Sequence, residues 1–164
     1  MDKRFLYFET PIGTVEISGI PGGVTGVAFI EQSAAAVGEP YPCMVKAKEQ
    51  LLEYFEGRRK EFDFPLVLDC TDFQRRVYRE LAKIPYGSAS TYGEVAARIG
   101  KPAACRAVGQ ANNKNKHVIV IPCHRVVHKD SGMAGYGGGV WRKEFLLGLE
   151  KRASEITQNA HSVC

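Results

Sequence analysis

The 164-residue chain lacks the signatures of several protein classes. It has no Cys-x-x-Cys pair, so we expect no zinc or other metal site. Its first nine residues contain no apolar core long enough for a signal peptide or a membrane span. The five cysteines are odd in number and widely spaced, which argues against a disulfide framework. We therefore expect a protein of a reducing compartment with no membrane partner, in the cytoplasm of a prokaryote or the nucleus of a eukaryote.

Acidic residues are missing from one long stretch of the chain. Overall, 22 basic and 18 acidic residues give a net charge of +4, which is too mild to identify a polyanion-binding protein. Between positions 101 and 129, however, there is no Asp or Glu. A local positive field of this kind suits a phosphate backbone, although a solvated basic surface is the common alternative. The basic residues of this stretch are Lys101, Arg106, Lys114, Lys116, Arg125 and Lys129.

The first seventy residues predict a small α/β lobe. Apolar stretches separated by turn signals at 11–13 and 21–23 predict an antiparallel sheet. Apolar residues then recur at helical spacing over about 43–55. With the helical second half, this pattern predicts an α+β fold in which residues 1–70 form a small antiparallel sheet lobe with a helix.

Residues 71–151 predict a mostly helical domain. Capping boxes at 71–74 and 91–94 mark two helix starts. A break at Gly100-Lys101-Pro102 is followed by a helix over about 103–112, which predicts a helix-turn-helix.

The C-terminal part of this domain has further local signals. The β-branched run at 118–121 predicts an extended segment. A last helix is expected over 140–151, with a flexible tail over 152–164.

The heptapeptide Ile121-Pro122-Cys123-His124-Arg125-Val126-Val127 carries the chemistry. A cysteine beside cationic side chains has a lowered pKa, and the thiolate is the nucleophilic form. The alternative is an inert buried cysteine at a strand end, with His124 and Arg125 facing solvent. Adjacent strand residues point to opposite faces, so His124 can serve Cys123 only if the chain turns at Pro122 or a water bridges imidazole and sulfur, and we expect both together.

A third group should orient His124. The residues alone leave three carboxylates open for this role, and each could equally be a surface helix charge: Glu94, Glu144 and Glu150.

Several motifs resemble those of the O6-alkylguanine-DNA alkyltransferases, in the order and spacing of that family over residues 72–151. They are Ile-Pro-Tyr-Gly at 84–87, Thr-Tyr-Gly-Glu-Val-Ala at 91–96, Arg-Ala-Val-Gly at 106–109, Asn115, Ile-Pro-Cys-His-Arg-Val at 121–126, Gly-Tyr-Gly-Gly-Gly at 135–139 and Leu-Leu-x-x-Glu at 146–150.

The resemblance implies a catalytic set and a single-turnover reaction. Cys123 would accept the alkyl group, His124 would act as its base through a water, and Glu150 would orient His124. Asn115 would brace the turns around the site, and Tyr92 would hydrogen-bond the flipped guanine. Because the product is a thioether, each protein molecule would act once, with no cofactor.

The resemblance also implies the binding residues and partner. Double-stranded DNA carrying O6-alkylguanine is the expected partner, bound by a protein that is monomeric in solution and able to bind DNA in several copies. Arg106 would fill the gap left by the flipped base. The other implied DNA-binding residues are Ala103, Ala104, Gly109 and Lys129, and the implied pocket residues are Val126, Gly135, Tyr136 and Gly137.

Three other functions remain open from the sequence. A lesion-binding module without transfer would replace the cysteine, which is present here as Cys123. A cysteine hydrolase would use Cys123 and His124 but would leave the acid-free stretch unexplained. A helix-turn-helix regulator would bind one sequence tightly and would tolerate loss of Cys123.

Overall fold

The computed structural model describes residues 2–32, 34–129, 136 and 138–162. The chain divides into two compact units, and the α+β prediction is confirmed. The first unit is Met1–Cys70 with Lys116–Val120, and the second is Thr71–Asn115 with Ile121–Cys164. The return of residues 116–120 to the first unit was not part of the predicted division.

The first unit is a three-stranded antiparallel sheet with one helix, as predicted. Its strands are β1 (Arg4–Thr10), β2 (Gly13–Ile20) and β3 (Gly23–Ile30), in the order β1-β2-β3. Helix α1 spans Pro42–Phe55. The alternating apolar residues of the strands and one face of the helix form its core, in which the fully buried side chains include Val15, Ile17, Val24, Val27, Met44, Ala47, Leu51 and Tyr54.

The outer edge of β3 is covered by two other segments of the chain. Val24 donates to the Pro65 carbonyl at 2.9 Å and Val27 donates to the Lys116 carbonyl at 2.8 Å. In return, the amide of Val118 donates to the Val27 carbonyl at 3.0 Å. These bonds satisfy backbone groups that an edge strand would otherwise leave unpaired.

The extended segment predicted over 118–121 is wrong. The backbone turns here: the Val120 amide donates to the Val118 carbonyl at 2.8 Å, and Ile119 has φ 72°. Positive φ is rare for a β-branched residue and costs roughly 1–3 kcal/mol. Pairing with β3 ends at Val118, and burial of Ile119 (1% exposed) outweighs the strand preference of the sequence.

The second unit is mainly helical. It contains α2 (Asp72–Ala82), β4 (Ser90–Thr91), α3 (Tyr92–Arg98), α4 (Cys105–Asn113), β5 (Val126–Val127) and α5 (Val140–Ser162). Both predicted capping boxes are present, with Thr71 and Gln74 opening α2 and Thr91 and Glu94 opening α3. The two short strands pair in parallel.

The break between α3 and α4 is longer than predicted. Gly100 has φ 77°, its amide donates to Ala97, and the next amide, of Lys101, donates to Ala96. This pair of hydrogen bonds forms a Schellman cap, which needs the left-handed conformation that glycine adopts readily. The Ala104 amide then bonds the Lys101 carbonyl, so Pro102 lies in a turn and α4 begins at Cys105, not near 103. The helix-turn-helix interpretation of this pair remains a prediction.

The last helix is longer than predicted. It continues through the predicted flexible tail to Ser162 instead of ending at Lys151. Residues 152–162 contain neither glycine nor proline, so the sequence has no signal that would end the helix.

The described part of the chain lacks both a membrane-spanning helix and a metal-binding cluster. None of the helices there has the length and apolarity that crossing a membrane requires. The same residues hold no cluster of three or more His, Cys, Asp or Glu that could bind a metal ion.

Candidate active site

The chain turns at the cysteine motif. Cys123–Arg125 form one turn of 3-10 helix, and the Arg125 amide donates to the Pro122 carbonyl at 3.0 Å. One of the two predicted solutions for bringing His124 to Cys123, a turn at Pro122, is therefore confirmed. The alternative with His124 and Arg125 in solvent is wrong, because their exposed fractions are 0% and 6%.

Glu150 is the carboxylate that orients the motif. Its Oε2 lies 2.6 Å from His124 Nε2, and its Oε1 accepts from Arg125 Nε at 2.8 Å. The Gly87 amide also donates to Oε1 at 3.1 Å. Of the other candidates, Glu94 caps α3 and Glu144 is exposed.

The charges around Glu150 fix the state of His124. Burial alone would raise the pKa of Glu150, but hydrogen bonds from His124 and Arg125 and the charge of the Arg125 guanidinium lower it to about 2. An ionised carboxylate only accepts hydrogen bonds, so His124 donates through Nε2. Burial lowers the pKa of His124, which favours the neutral ring. Its Nδ1 is therefore a basic lone pair, buried and without a hydrogen-bond partner among the described residues.

Two asparagines hold the turn in place. Asn115 Nδ2 donates to the Ile121 carbonyl at 2.8 Å, and its side chain also hydrogen-bonds Cys123. Asn112, which the sequence did not single out, donates to the Cys123 carbonyl at 3.3 Å and hydrogen-bonds Tyr92. The bracing position implied for Asn115 thus agrees with its contacts.

Replacing Asn115 with alanine is expected to loosen this turn. The Ile121 carbonyl and the Cys123 side chain would both lose a donor, so we expect a loss of about 1–3 kcal/mol in the free energy of unfolding. Urea denaturation measures this loss, and exposed Asn113 provides the matched control, Asn113→Ala. Equal stability of the two variants would show that the Asn115 bonds contribute nothing.

The thiol of Cys123 is 4% exposed and lies among polar groups. Burial raises its pKa, while Asn115, the charge of Lys143 and the hydroxyl of Tyr136 lower it. Tyr136 is itself buried, and burial together with the sulfur raises the pKa of its phenol well above the usual range. The site thus offsets part of the cost of forming a thiolate away from water.

An open cleft of about 390 Å³ lies beside the first turn of α3. Tyr92, 9% exposed, forms one wall, and the His128 ring packs against it with centroids 5.2 Å apart. Arg106 is exposed at the same cleft. A β-carbon added to Gly109 would come only within 3.8 Å of the Tyr92 ring, so this glycine leaves room in the cleft. The full lining is Tyr92, Cys105, Arg106, Gly109, Gln110, Asn113 and His128.

The remaining predicted site residues fall in several places. Ala103 is exposed and Ala104 half-buried, both in the turn before α4. Lys129 is exposed, whereas Val126 is fully buried in β5. Gly135 and Gly137 lie outside the described residues.

Sequence reasoning missed five residues that contact this site: Gly87, Asn112, Arg125 as a partner of Glu150, His128 and Lys143. An arginine in a motif flanked by apolar residues was a usable signal, because a buried cation needs a carboxylate. The other four depend on contacts between distant parts of the chain.

Comparison with known proteins identifies the family of the chain. The family model described as "6-O-methylguanine DNA methyltransferase, DNA binding domain" matches residues 72–152. The model described as "6-O-methylguanine DNA methyltransferase, ribonuclease-like domain" matches residues 3–68. The chain belongs to the O6-methylguanine-DNA methyltransferase family.

Relatives match this methyltransferase chain over most of its length. The constitutive methylated-DNA–protein-cysteine methyltransferase of Bacillus subtilis (strain 168) is 48% identical over 152 residues, covering 87% of this chain and 92% of the relative. That of Mycolicibacterium paratuberculosis is 44% identical, covering 89% and 91%. The crystal structure of Mycobacterium tuberculosis O6-methylguanine methyltransferase has 39% identity and a TM-score of 0.83, covering 93% and 94%. The M. tuberculosis protein in complex with DNA gives 41% identity and a TM-score of 0.83, covering 91% and 93%.

Proposed function

We propose that this protein repairs DNA by moving an alkyl group from O6 of guanine to Sγ of Cys123. The observation that carries the assignment is the buried Cys123–His124–Glu150 arrangement, in which Glu150 bonds Nε2 of His124, the residue that follows the cysteine. Family membership supplies the reaction class, and this arrangement supports the choice of residues.

The reaction is a displacement at an sp³ carbon. His124 Nδ1 takes the thiol proton through a bridging water, and the thiolate attacks the alkyl carbon as the bond to guanine O6 breaks. The electron pair leaves on the guanine, and the Tyr92 hydroxyl stabilises it by a hydrogen bond or proton donation. The product is a thioether, which water does not cleave, so each molecule reacts once.

Access to O6 requires the nucleotide to leave the stacked duplex. The cleft beside Tyr92 is open, and Arg106 is one of the residues that line it. This position suits a side chain that fills the space left in the duplex by the extruded base. We assign the α3–α4 pair as the helix-turn-helix that approaches the minor groove. Its small exposed residues, Ala103 and Ala107, permit close approach of the backbone, and minor-groove contacts discriminate poorly between sequences.

Stoichiometry tests the proposed function. Duplex DNA carrying O6-[methyl-³H]methylguanine is incubated in tenfold excess over the protein, and protein-bound label is counted. We expect a plateau at one methyl group per molecule. Loss of more than one methyl group per molecule from the DNA, without accumulation of protein-bound label, would favour a hydrolase. Binding of lesion DNA without label transfer would favour a lesion sensor.

Replacing Arg106 with alanine separates base extrusion from chemistry. We expect transfer from duplex DNA to slow by about tenfold or more, since unstacking a base costs a few kcal/mol that Arg106 helps to offset. Transfer from free O6-benzylguanine should be unchanged. Arg79→Ala, an exposed arginine on α2 outside the cleft, is the charge-matched control. Equal slowing on both substrates would contradict the assignment.

A further inference from the structure

Lys143 is a fully buried lysine whose role the proposed reaction leaves open. It lies in the first turn of α5 with an exposed fraction of 0%. Among the described residues, its Nζ has no hydrogen-bond partner. A buried, unpaired ammonium is costly, and a hydrocarbon of similar length would normally be more stable at such a position. The burial of this lysine therefore indicates a partner that is negatively charged in some states of the protein and neutral in others.

The groups facing Lys143 identify that partner. From α3, the Tyr92 ring lies 5.9 Å from Nζ, a cation–π distance. From the 3-10 turn, Cys123 and His124 both interact electrostatically with the amine. Burial lowers the pKa of Lys143, and the charge of Cys123 is what raises it again. The carboxylate nearest the motif, Glu150, is instead bonded by His124 and Arg125.

Among the groups facing Lys143, Cys123 is the one that becomes negatively charged during the reaction, since His124 only gains a proton. As a thiolate it carries the negative charge that a buried ammonium needs. As a thioether it carries none, and no carboxylate is shown acting on Lys143 within the described part of the chain.

We propose that Lys143 is the counter-ion of the Cys123 thiolate, and that alkylation of Cys123 leaves the Lys143 ammonium without a partner in the protein interior. The proposal rests on the proposed function only in taking alkylation by DNA as the event that removes the thiolate. The thiolate gives its electron pair to the new S–C bond, and the guanine leaves with the electron pair of the broken bond between O6 and the alkyl carbon. The Lys143 ammonium has then lost its counter-ion and releases its proton more readily. Lys143 is thus a positioning residue: it stabilises the negative charge on the sulfur and acts on the substrate only through that sulfur.

The first test measures the ionisation of the Cys123 thiol without DNA. Ultraviolet thiolate absorbance is followed against pH, and the spectrum of Cys123→Ala, which retains the other four cysteines, is subtracted. Lys143→Met removes the charge and keeps an unbranched chain. A neighbouring opposite charge shifts a pKa by about 1–3 units, so we expect the thiolate fraction at pH 7 to fall by roughly tenfold or more. Lys151→Met, an exposed lysine on the same helix, should leave it unchanged. An unchanged profile in folded Lys143→Met overturns the proposal.

If Lys143→Met does not fold, the proposal is tested by the reciprocal measurement, the titration of Lys143 with and without the Cys123 sulfur. Coupling between two sites acts equally in both directions, so removing the sulfur must lower the pKa of Lys143. With ¹³Cε-labelled lysine, Lys143 is titrated by NMR in the wild type and in Cys123→Ala, and Lys143→Arg assigns the signal. A lower midpoint in Cys123→Ala supports the proposal, and identical midpoints overturn it. Neither experiment uses lesion DNA, so failure of the proposed function would leave both results interpretable.

Discussion

Replacing Cys123 with alanine is expected to abolish alkyl transfer completely. The sulfur is the only atom of the site that can form the new S–C bond, since His124 and Glu150 act on its proton and not on carbon. Binding to duplex DNA should persist, because Arg106 and the cleft beside Tyr92 lie on α3 and α4 rather than on the 3-10 turn. Label transfer and a fluorescence-anisotropy binding curve on the same preparation measure the two properties separately.

Cys70→Ala is the matched control for Cys123→Ala. Cys70 is a half-buried cysteine before α2 and does not line the cleft, so this variant should still transfer one alkyl group per molecule. Loss of DNA binding in Cys123→Ala would show that the residue is needed for the structure. Residual transfer in Cys123→Ala would place the acceptor elsewhere.

Glu150→Gln is expected to have the largest effect on stability. The amide keeps the shape of the side chain but leaves Arg125 and the His124 ring without their buried carboxylate. Breaking a buried ion pair by removing one partner costs about 3–5 kcal/mol. Transfer should also slow by about tenfold or more, because His124 loses the group that fixes its tautomer. Urea denaturation and single-turnover rates measure both effects, and exposed Glu144→Gln on the same helix should change neither.

The stability contribution of Glu150 should depend on pH in a defined direction. Its folded pKa of about 2 lies below the ordinary value of 4.5. The contribution is therefore fully present above about pH 4.5 and is lost as the pH falls towards 2. The stability difference between wild type and Glu150→Gln should shrink over that window. A difference that stays constant from pH 6 to pH 3 would show that the neighbours do not lower the pKa of the Glu150 carboxylate.

Local signals in the sequence were sufficient for much of the fold. Both capping boxes lie within four consecutive residues, and the hairpin turns at 11–13 and 21–23 are marked by proline and glycine, so neighbouring residues determine them. The nucleophile could be found for the same reason, since Pro122, Cys123 and His124 are adjacent. The three candidate carboxylates could be named but not ranked from the residues, because Glu150 reaches His124 across 26 positions.

Other features depend on contacts that no local pattern records. The run at 118–121 favours a strand by composition, but pairing of Val27 with residues 116–118 ends there and leaves Ile119 at positive φ. The start of α4 is set by the Schellman cap at Gly100, which moves Pro102 into a turn. Lys143 looks like an ordinary helix cation in the sequence, and only the packing of α5 against the 3-10 turn brings it to Cys123.

The most direct test of the central claim is intact-protein mass spectrometry after incubation with duplex DNA carrying O6-methylguanine, followed by peptide mapping. The account predicts a gain of one CH₂ unit per molecule, on Cys123, with no further gain at longer times or higher DNA concentrations. A methyl group on another residue, or an unchanged mass while the lesion DNA stays bound, would contradict it.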